Sequence, residues 1–170
     1  MDSLDAIRTI RAVRQFEDRP LLPEMVNLIL NAGRRAQSSK NTQPWHFIAV
    51  QDKERLQKLS VFGTYAGHLA GAALAVGIIT PQPETRFSVM FDAGQAAAYM
   101  QLAAWDLGVG SCLATIYQPD LARLLLGFPD DLTMLVAISF GYPQDPGLLT
   151  AIPKKGGRRL FEESVHRELW

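Results

Sequence analysis

A long segment of small and apolar residues, Ser88–Leu107, limits most strongly what this chain can fold into. The segment predicts one helix that is apolar on nearly all sides, and such a helix must be covered on several of them. Its small residues allow neighbouring backbones to approach closely; they are Ala93, Gly94, Ala96, Ala97, Ala98, Ala103 and Ala104. In a chain of 170 residues this pattern places the helix at the centre of the fold or at a subunit interface.

Shorter predicted helices and strands surround this segment. Apolar spacing and capping residues predict the helices Asp2–Arg11, Glu24–Ala36, Asp52–Ser60 and Pro119–Leu126. Short apolar runs predict the strands Trp45–Val50, Ala72–Thr80, Ser111–Ile116 and Leu132–Phe140. No linker or repeat divides the chain, so residues 1–170 are expected to form one domain. The order indicates an α+β or mixed α/β layer in which helices cover a sheet.

Charge and composition exclude several classes of partner. Lys and Arg together number 17, as do Asp and Glu, so the formal net charge is zero. A nucleic-acid-binding protein or a polybasic membrane anchor needs a surplus of positive charge, so neither nucleic acid nor a membrane is an expected partner. The N-terminus lacks the basic and apolar regions of a signal peptide, and the single cysteine, Cys112, cannot form an internal disulfide. We therefore expect a cytoplasmic location.

Two polar segments offer groups that could bind a ligand. Arg11 and Arg14 follow the first helix and can present two guanidinium forks, a geometry suited to phosphate. Alternatively, they neutralise a helix terminus and extend into water. Residues 38–45 place hydroxyls and amides directly before a strand, where ligands often bind in layered folds. An ordinary solvated turn is the alternative for this segment.

Two glycine-containing segments are further candidates. Gly108–Leu113 partly matches a dinucleotide fingerprint, but it follows a helix and has Leu at the last glycine position, which excludes a Rossmann motif. Two interpretations remain: the segment is a turn close to a ligand ring, or Gly108 is simply a helix cap. Gly156–Arg159 puts two arginines behind two glycines, which could close over an anion or form a mobile tail.

No residues of the chain form a recognisable catalytic set. His46, His68 and His166 are scattered, so a metal site is not expected. Cys112 lies in an apolar run, which favours a buried and inert thiol. Binding groups without an acid, base or nucleophile are typical of an enzyme whose cofactor supplies the chemistry.

Taken together, the four segments resemble the nitroreductase family. Residues 11–16, Arg-Ala-Val-Arg-Gln-Phe, are similar to its N-terminal Arg-Ser-Val-Arg-x-Phe motif. Residues 36–47 are similar to its Ala-Pro-Ser-Ser-x-Asn-x-Gln-Pro-Trp-x-Phe signature, which is the most specific match. Residues 92–95 with 107–112 resemble its central helix and turn, and residues 158–166 its C-terminal motif. The matches follow the family order over nearly the whole chain.

The resemblance implies a fold and an assembly. The fold would be an α+β three-layer sandwich with a central mixed sheet flanked by helices. Two chains would form an intertwined homodimer through the long central helix and would exchange their C-terminal arms. Two FMN sites would lie at the dimer interface, with NADH or NADPH as co-substrate.

The resemblance also assigns roles to residues. Arg11 and Arg158 would hold the FMN phosphate, and Arg14 would lie near the ribityl chain and the N1/C2 carbonyl edge of the ring. Ser38, Asn41 and Gln43 would bind the ribityl chain or the ring edge. The other implied contacts with FMN are Ala12, Ser39, Leu113, Ala114, Thr115 and Arg159.

Some positions depart from the family pattern. Ala12 replaces the usual serine, Ile10 replaces a frequent basic residue, and Gln37 replaces proline. The segment between the second and third strands is short, although family members use this region to cover the substrate. A shorter cover predicts a more open pocket or a different substrate.

The expected activity is hydride transfer from NAD(P)H through flavin N5 to a nitroaromatic, a quinone or a similar small conjugated acceptor, in a ping-pong cycle. Two alternatives stay open. One is another flavin reaction on the same fold, namely dehydrogenation, dehalogenation or flavin breakdown. The other is a flavin-binding module without catalytic activity.

Overall fold

A computed structural model describes residues 2–150 and 157–170. The helices are α1 Ser3–Thr9, α2 Pro23–Arg34, α3 Lys53–Leu59, α4 Ser88–Asp106 and α5 Pro119–Leu126. The strands are β1 His46–Val50, β2 Leu74–Pro81, β3 Gly110–Thr115 and β4 Leu132–Gly141. Every helix and strand expected from the sequence is therefore present, with ends that differ by at most two residues.

Local chemistry explains where these elements begin and end. The carboxylate of Asp2 accepts a hydrogen bond from the Leu4 N–H at 2.7 Å, and Asp52 does the same for Arg55 at 3.0 Å, so both act as helix N-caps. Gly108 has a φ of 74° directly after α4, which confirms the helix-cap interpretation of this glycine.

The four strands form one sheet in the order β1-β2-β4-β3, and all three neighbouring pairs are antiparallel. The expected mixed sheet was wrong for these strands. The described residues add one parallel element, an isolated bridge between Ala12 and Ser111. Apolar runs identify buried strands, but they carry no information on strand direction, which is why the sequence could not settle this point.

Helices cover both faces of the sheet, as the three-layer prediction required. Alternate residues of β2 point to opposite faces, so Val76 and Ile78 pack with α2 and α4, whereas Ala75 and Ile79 pack with α3 and α5. Helices α2 and α4 touch closely, because a Cβ on Gly33 would lie 2.8 Å from Cγ of Met100.

One side of α4 is buried and the other is open in the single chain. Met100 is fully buried and contributes about 1.5–3 kcal/mol by leaving water. The opposite side exposes Phe87, Phe91 and Tyr99 together with the small residues Gly94 and Ala98. We call these five residues the open face of α4. No helix in the described part of the chain is long and apolar enough to cross a membrane.

Candidate functional site

The arginine segment lies beside the start of β3. The Val13 N–H donates to the Ser111 carbonyl at 2.9 Å, next to the Ala12–Ser111 bridge. Glycine is needed opposite this bond, because a Cβ on Gly110 would lie 2.7 Å from Cβ of Val13. The bridge therefore fixes the backbone between Arg11 and Arg14 against β3, the edge strand of the sheet.

Neither arginine has a carboxylate partner among residues 2–150 and 157–170. Arg11 donates one weak bond, from Nε to the Thr9 carbonyl at 3.4 Å, and its buried Nη2 makes no hydrogen bond within the described chain. Arg14 is exposed and lies close enough to His68 and Cys112 to influence the pKa of both. Two guanidinium groups are thus held near β3 without a carboxylate partner from those parts of the chain, which suits an anion site.

A buried chain of hydrogen bonds lies next to Arg14. His68 Nδ1 is 2.8 Å from Oγ of Ser139, and that hydroxyl donates to the Cys112 carbonyl at 3.2 Å. Because the hydroxyl proton points to Cys112, Ser139 must accept from His68, so the proton of the neutral imidazole is on Nδ1. Burial and, secondarily, the positive charge of Arg14 lower the pKa of His68.

Cys112 is a buried thiol, as the sequence predicted. Burial raises its pKa, although the charge of Arg14 acts in the opposite direction. The thiol therefore stays protonated and unreactive near neutral pH.

The second candidate group, residues 38–43, forms a tight turn before β1. Ser38 Oγ accepts from the Gln43 N–H at 2.9 Å, which closes the turn across its ends. Lys40, Asn41 and Gln43 have φ values of 53°, 54° and 48°. Left-handed backbone in non-glycine residues costs about 1–3 kcal/mol each and occurs preferentially at ligand sites.

Asp92 of α4 and Arg86, two residues before α4, hold this turn. The buried carboxylate of Asp92 accepts from the Ser39 N–H at 3.0 Å. Arg86 Nη2 donates to Thr42 Oγ1 at 2.9 Å and to the Ser39 carbonyl at 3.4 Å. The turn is therefore fixed to the N-terminal part of the central helix.

A cavity of about 490 Å³ adjoins the turn. It is lined by Leu30, Asn31, Arg34, Gln43, Trp45 and Phe47. Gln43 is the predicted site residue in this wall, so the cavity extends from the turn towards α2 rather than towards Arg11 and Arg14.

A single chain keeps the turn and the arginine segment apart. Trp105 donates from Nε1 to Thr9 Oγ1 at 2.9 Å, which fixes the end of α1 to the C-terminal part of α4. Asp92, at the turn, is 13 residues earlier in α4, which is about 20 Å along a helix. In addition, β1 and β3 are the opposite edges of the sheet, about 14 Å apart at three strand spacings.

The remaining predicted site residues lie in two places. Leu113–Thr115 belong to β3, with Ala114 buried and Leu113 44% exposed, on the same side of the molecule as the arginine segment. Arg158 and Arg159 lie in the C-terminal segment 157–170, in which every residue is exposed. Gly156, which was grouped with them, lies outside the described residues.

Sequence reasoning gave no role to Arg86, Asp92 or His68. A usable signal existed for Asp92, because a carboxylate inside a small-residue helix is unusual, but its partner Ser39 is 53 residues away. The partners of His68 are as remote, since Ser139 is 71 residues from it.

Comparisons with known proteins identify the family of the chain. Residues 7–62 and 60–142 match the model of the nitroreductase family. A relative from Archaeoglobus fulgidus, provisionally named NADH dehydrogenase/NAD(P)H nitroreductase, is 31% identical over 99% of both chains. The NADPH-flavin oxidoreductase of Vibrio harveyi is 25% identical over 99% of this chain and 76% of its own length. The solved FMN-dependent nitroreductase from Clostridium difficile R20291 superimposes with a TM-score of 0.85 at 30% identity, covering 98% of this chain and 99% of that one. The chain belongs to the nitroreductase family.

Proposed function

We propose that this protein is a homodimeric, FMN-dependent NAD(P)H oxidoreductase. The observation that carries the proposal is the pair of arginines beside β3, whose guanidinium groups have no carboxylate partner among the described residues. In a member of the nitroreductase family, this pair fits the anionic parts of FMN. The named activities of the Vibrio harveyi and Clostridium difficile relatives support the same cofactor.

The residues present fit FMN in their chemistry. The buried and unpartnered Nη2 of Arg11 needs an acceptor, which a phosphate oxygen would supply. We assign Arg158 to the same phosphate and Arg14 to the N1/C2 carbonyl edge, where a cation stabilises the negative charge that reduction adds. Ser38, Asn41 and Gln43 provide hydroxyl and amide groups for the ribityl chain or the ring edge.

We propose further that each site is shared between two chains. Packing two copies through the open face of α4 about a twofold axis perpendicular to the helix makes the two helices antiparallel. The turn at the N-terminal end of one α4 then lies near the arginine segment at the C-terminal end of the other. A twofold dimer would thus remove the separation of about 20 Å and create two equivalent sites.

Exposed apolar surface supports this assembly. Phe87 and Phe91 on the open face are 72% and 67% exposed in the single chain. The C-terminal segment exposes Leu160, Phe161, Leu169 and Trp170 as well, although such side chains are normally covered. An arm that packs against the partner subunit would cover them.

When bound, FMN would supply the redox chemistry, namely acceptance of hydride from NAD(P)H and transfer of the electrons to an acceptor. The connection from β2 to α4 is only residues 82–87, which leaves little chain to cover the ring. One exposed ring face would admit the nicotinamide of NAD(P)H first. A nitroaromatic, a quinone or another small conjugated acceptor would then bind in the same place after the nicotinamide has left. This order predicts ping-pong kinetics.

The test starts from the visible spectrum of the purified protein and the compound that heating releases. We expect FMN, and NADH or NADPH oxidation with a nitroaromatic or a quinone that gives parallel lines in double-reciprocal plots. Tight FMN binding without turnover would instead indicate a flavin-binding module or another flavin reaction. A protein that neither contains nor binds FMN would contradict the proposal altogether.

A further inference from the structure

The buried carboxylate of Asp92 is unusual in its surroundings. It lies on the otherwise small and apolar inner side of α4, and its side chain is only 4% exposed. One oxygen accepts from the Ser39 N–H, whereas Oδ2 is buried without a hydrogen bond among the described residues. Burying a charge in apolar surroundings costs desolvation free energy. A functional role for Asp92 therefore explains its presence better than a contribution to stability does.

Arg86 is the neighbouring charge that offsets this cost. Its Nη2 lies 3.9 Å from Oδ2 of Asp92, which is too long for a hydrogen bond but short enough for charge compensation. The same nitrogen contacts Thr42 Oγ1 and the Ser39 carbonyl, and Nε donates to Ser88 Oγ at 3.1 Å. One guanidinium group therefore links the helix to the turn at two points.

The turn depends on such external contacts because its backbone is unfavourable. Lys40, Asn41 and Gln43 adopt left-handed conformations that a free peptide populates rarely. Asp92 holds the Ser39 N–H while Arg86 holds the Ser39 carbonyl, so the peptide groups on both sides of Ser39 are fixed. The same turn carries Ser38, Asn41 and Gln43, which we have assigned to FMN.

We propose that Arg86 and Asp92 are positioning residues for FMN, and that together they keep the turn of residues 38–43 in its binding conformation before the cofactor arrives. This inference rests on the proposed function. If only a fraction of molecules holds the turn correctly, the apparent FMN association constant falls to that fraction of its intrinsic value. The loss then appears largely in the association rate constant.

The experiment is a double-mutant cycle on the refolded apoprotein, with FMN binding followed by quenching of flavin fluorescence. Arg86→Ala removes the contacts to the turn and leaves Asp92 charged and uncompensated. We expect a dissociation constant about 10- to 100-fold higher than in the wild type, with most of the change in the association rate. Asp92→Asn keeps an oxygen for Ser39 but removes the charge, so it should weaken binding less.

The cycle predicts the sign of the effect that Asp92→Asn has on FMN affinity once Arg86 is removed. In the Arg86→Ala background, Asp92→Asn should partly restore FMN affinity, because it removes the uncompensated charge. Arg86→Lys should rescue only in part, since an ammonium compensates the charge but lacks the planar fork that spans Thr42 and Ser39. Thr42→Val, at an exposed position, tests one contact separately and should raise the dissociation constant a few-fold.

A matched control is Lys58→Ala, which breaks the exposed Lys58–Glu54 pair on α3 and should leave FMN binding unchanged. Thermal unfolding of each apoprotein separates positioning from general stability. If the wild type binds FMN and both Arg86→Ala and Thr42→Val bind it equally fast and tightly, the positioning role is wrong and the proposed function stands. If the wild type does not bind FMN, both proposals fail.

Discussion

At the scale of single residues, His68 shows how much a side chain's chemistry depends on distant partners. Sequence alone offered three scattered histidines and no reason to distinguish them. In the fold, Ser139 fixes the tautomer of His68, and burial with the nearby charge of Arg14 lowers its pKa below the usual 6.5. These contacts follow from the pairing of β3 with β4, which local sequence patterns do not encode.

The lowered pKa of His68 predicts how stability depends on pH. The unfolded chain takes up a proton near pH 6.5, whereas the folded chain does so only at lower pH. Protons therefore favour unfolding as the pH falls through this interval, and stability is greatest above it. His68→Asn keeps a donor for Ser139 but cannot titrate, so the wild type should lose stability relative to this variant between pH 7.5 and 5.5.

Urea unfolding of both apoproteins at several pH values measures this difference. Carboxylate titration affects both proteins alike and cancels when they are compared. Parallel stability curves over the whole interval would show that His68 does not titrate differently in the folded state.

At the scale of elements, the sequence predicted nearly everything that depends on local pattern. The helix α5 was predicted with its observed bounds, because Pro119 begins it and Gly127, with a φ of 73°, ends it. The turn before β1 and the arginines after α1 are local features too, so the sequence could propose them as site residues. The antiparallel pairing and the strand order are long-range properties, and these were missed.

The end of β3 depends on one close packing contact. A Cβ on Gly63 would overlap the carbonyl oxygen of Thr115, whereas the space around Gly71 is open. Gly63→Ala should therefore destabilise the protein by about 1–3 kcal/mol, because backbone rather than a flexible side chain must move. Gly71→Ala should have little effect or a slight stabilising one.

Denaturant unfolding of the two variants compares the same chemical change in two environments. Because Leu113–Thr115 are predicted to lie beside the flavin, Gly63→Ala should also weaken FMN binding, whereas Gly71→Ala should not. Equal stability of the two variants would mean that the 60–66 segment adapts without displacing β3.

At the scale of the whole molecule, we propose that the FMN site combines groups from two chains. The family motifs pointed to the turn before β1 and to the arginine segment beside β3, but the sheet order β1-β2-β4-β3 puts these two strands on opposite edges. No sequence spacing could reveal this, because strand order follows from which surfaces pack together. The exposed apolar residues of α4 and of segment 157–170 support the proposal that a second chain covers them.

Mixed dimers test the shared site directly. One chain carries Asn41→Gly, which removes the amide at a position where glycine accepts the φ of 54°. The other carries Arg14→Gln. Each pure homodimer has two defective sites and should bind FMN weakly. In a mixed dimer with shared sites, one site combines the intact turn of one chain with the intact Arg14 of the other, and the second site has both defects.

Random assembly makes about half of the dimers mixed, so the mixture should recover about one quarter of the wild-type number of tight FMN sites. If the turn and Arg14 of the same chain formed the site, every site would carry one defect and nothing would be recovered. A titration of co-refolded chains with FMN counts these sites, with separately refolded homodimers mixed afterwards as the control. Recovery in the co-refolded sample alone would require that the turn of one chain and Arg14 of the other act on the same cofactor.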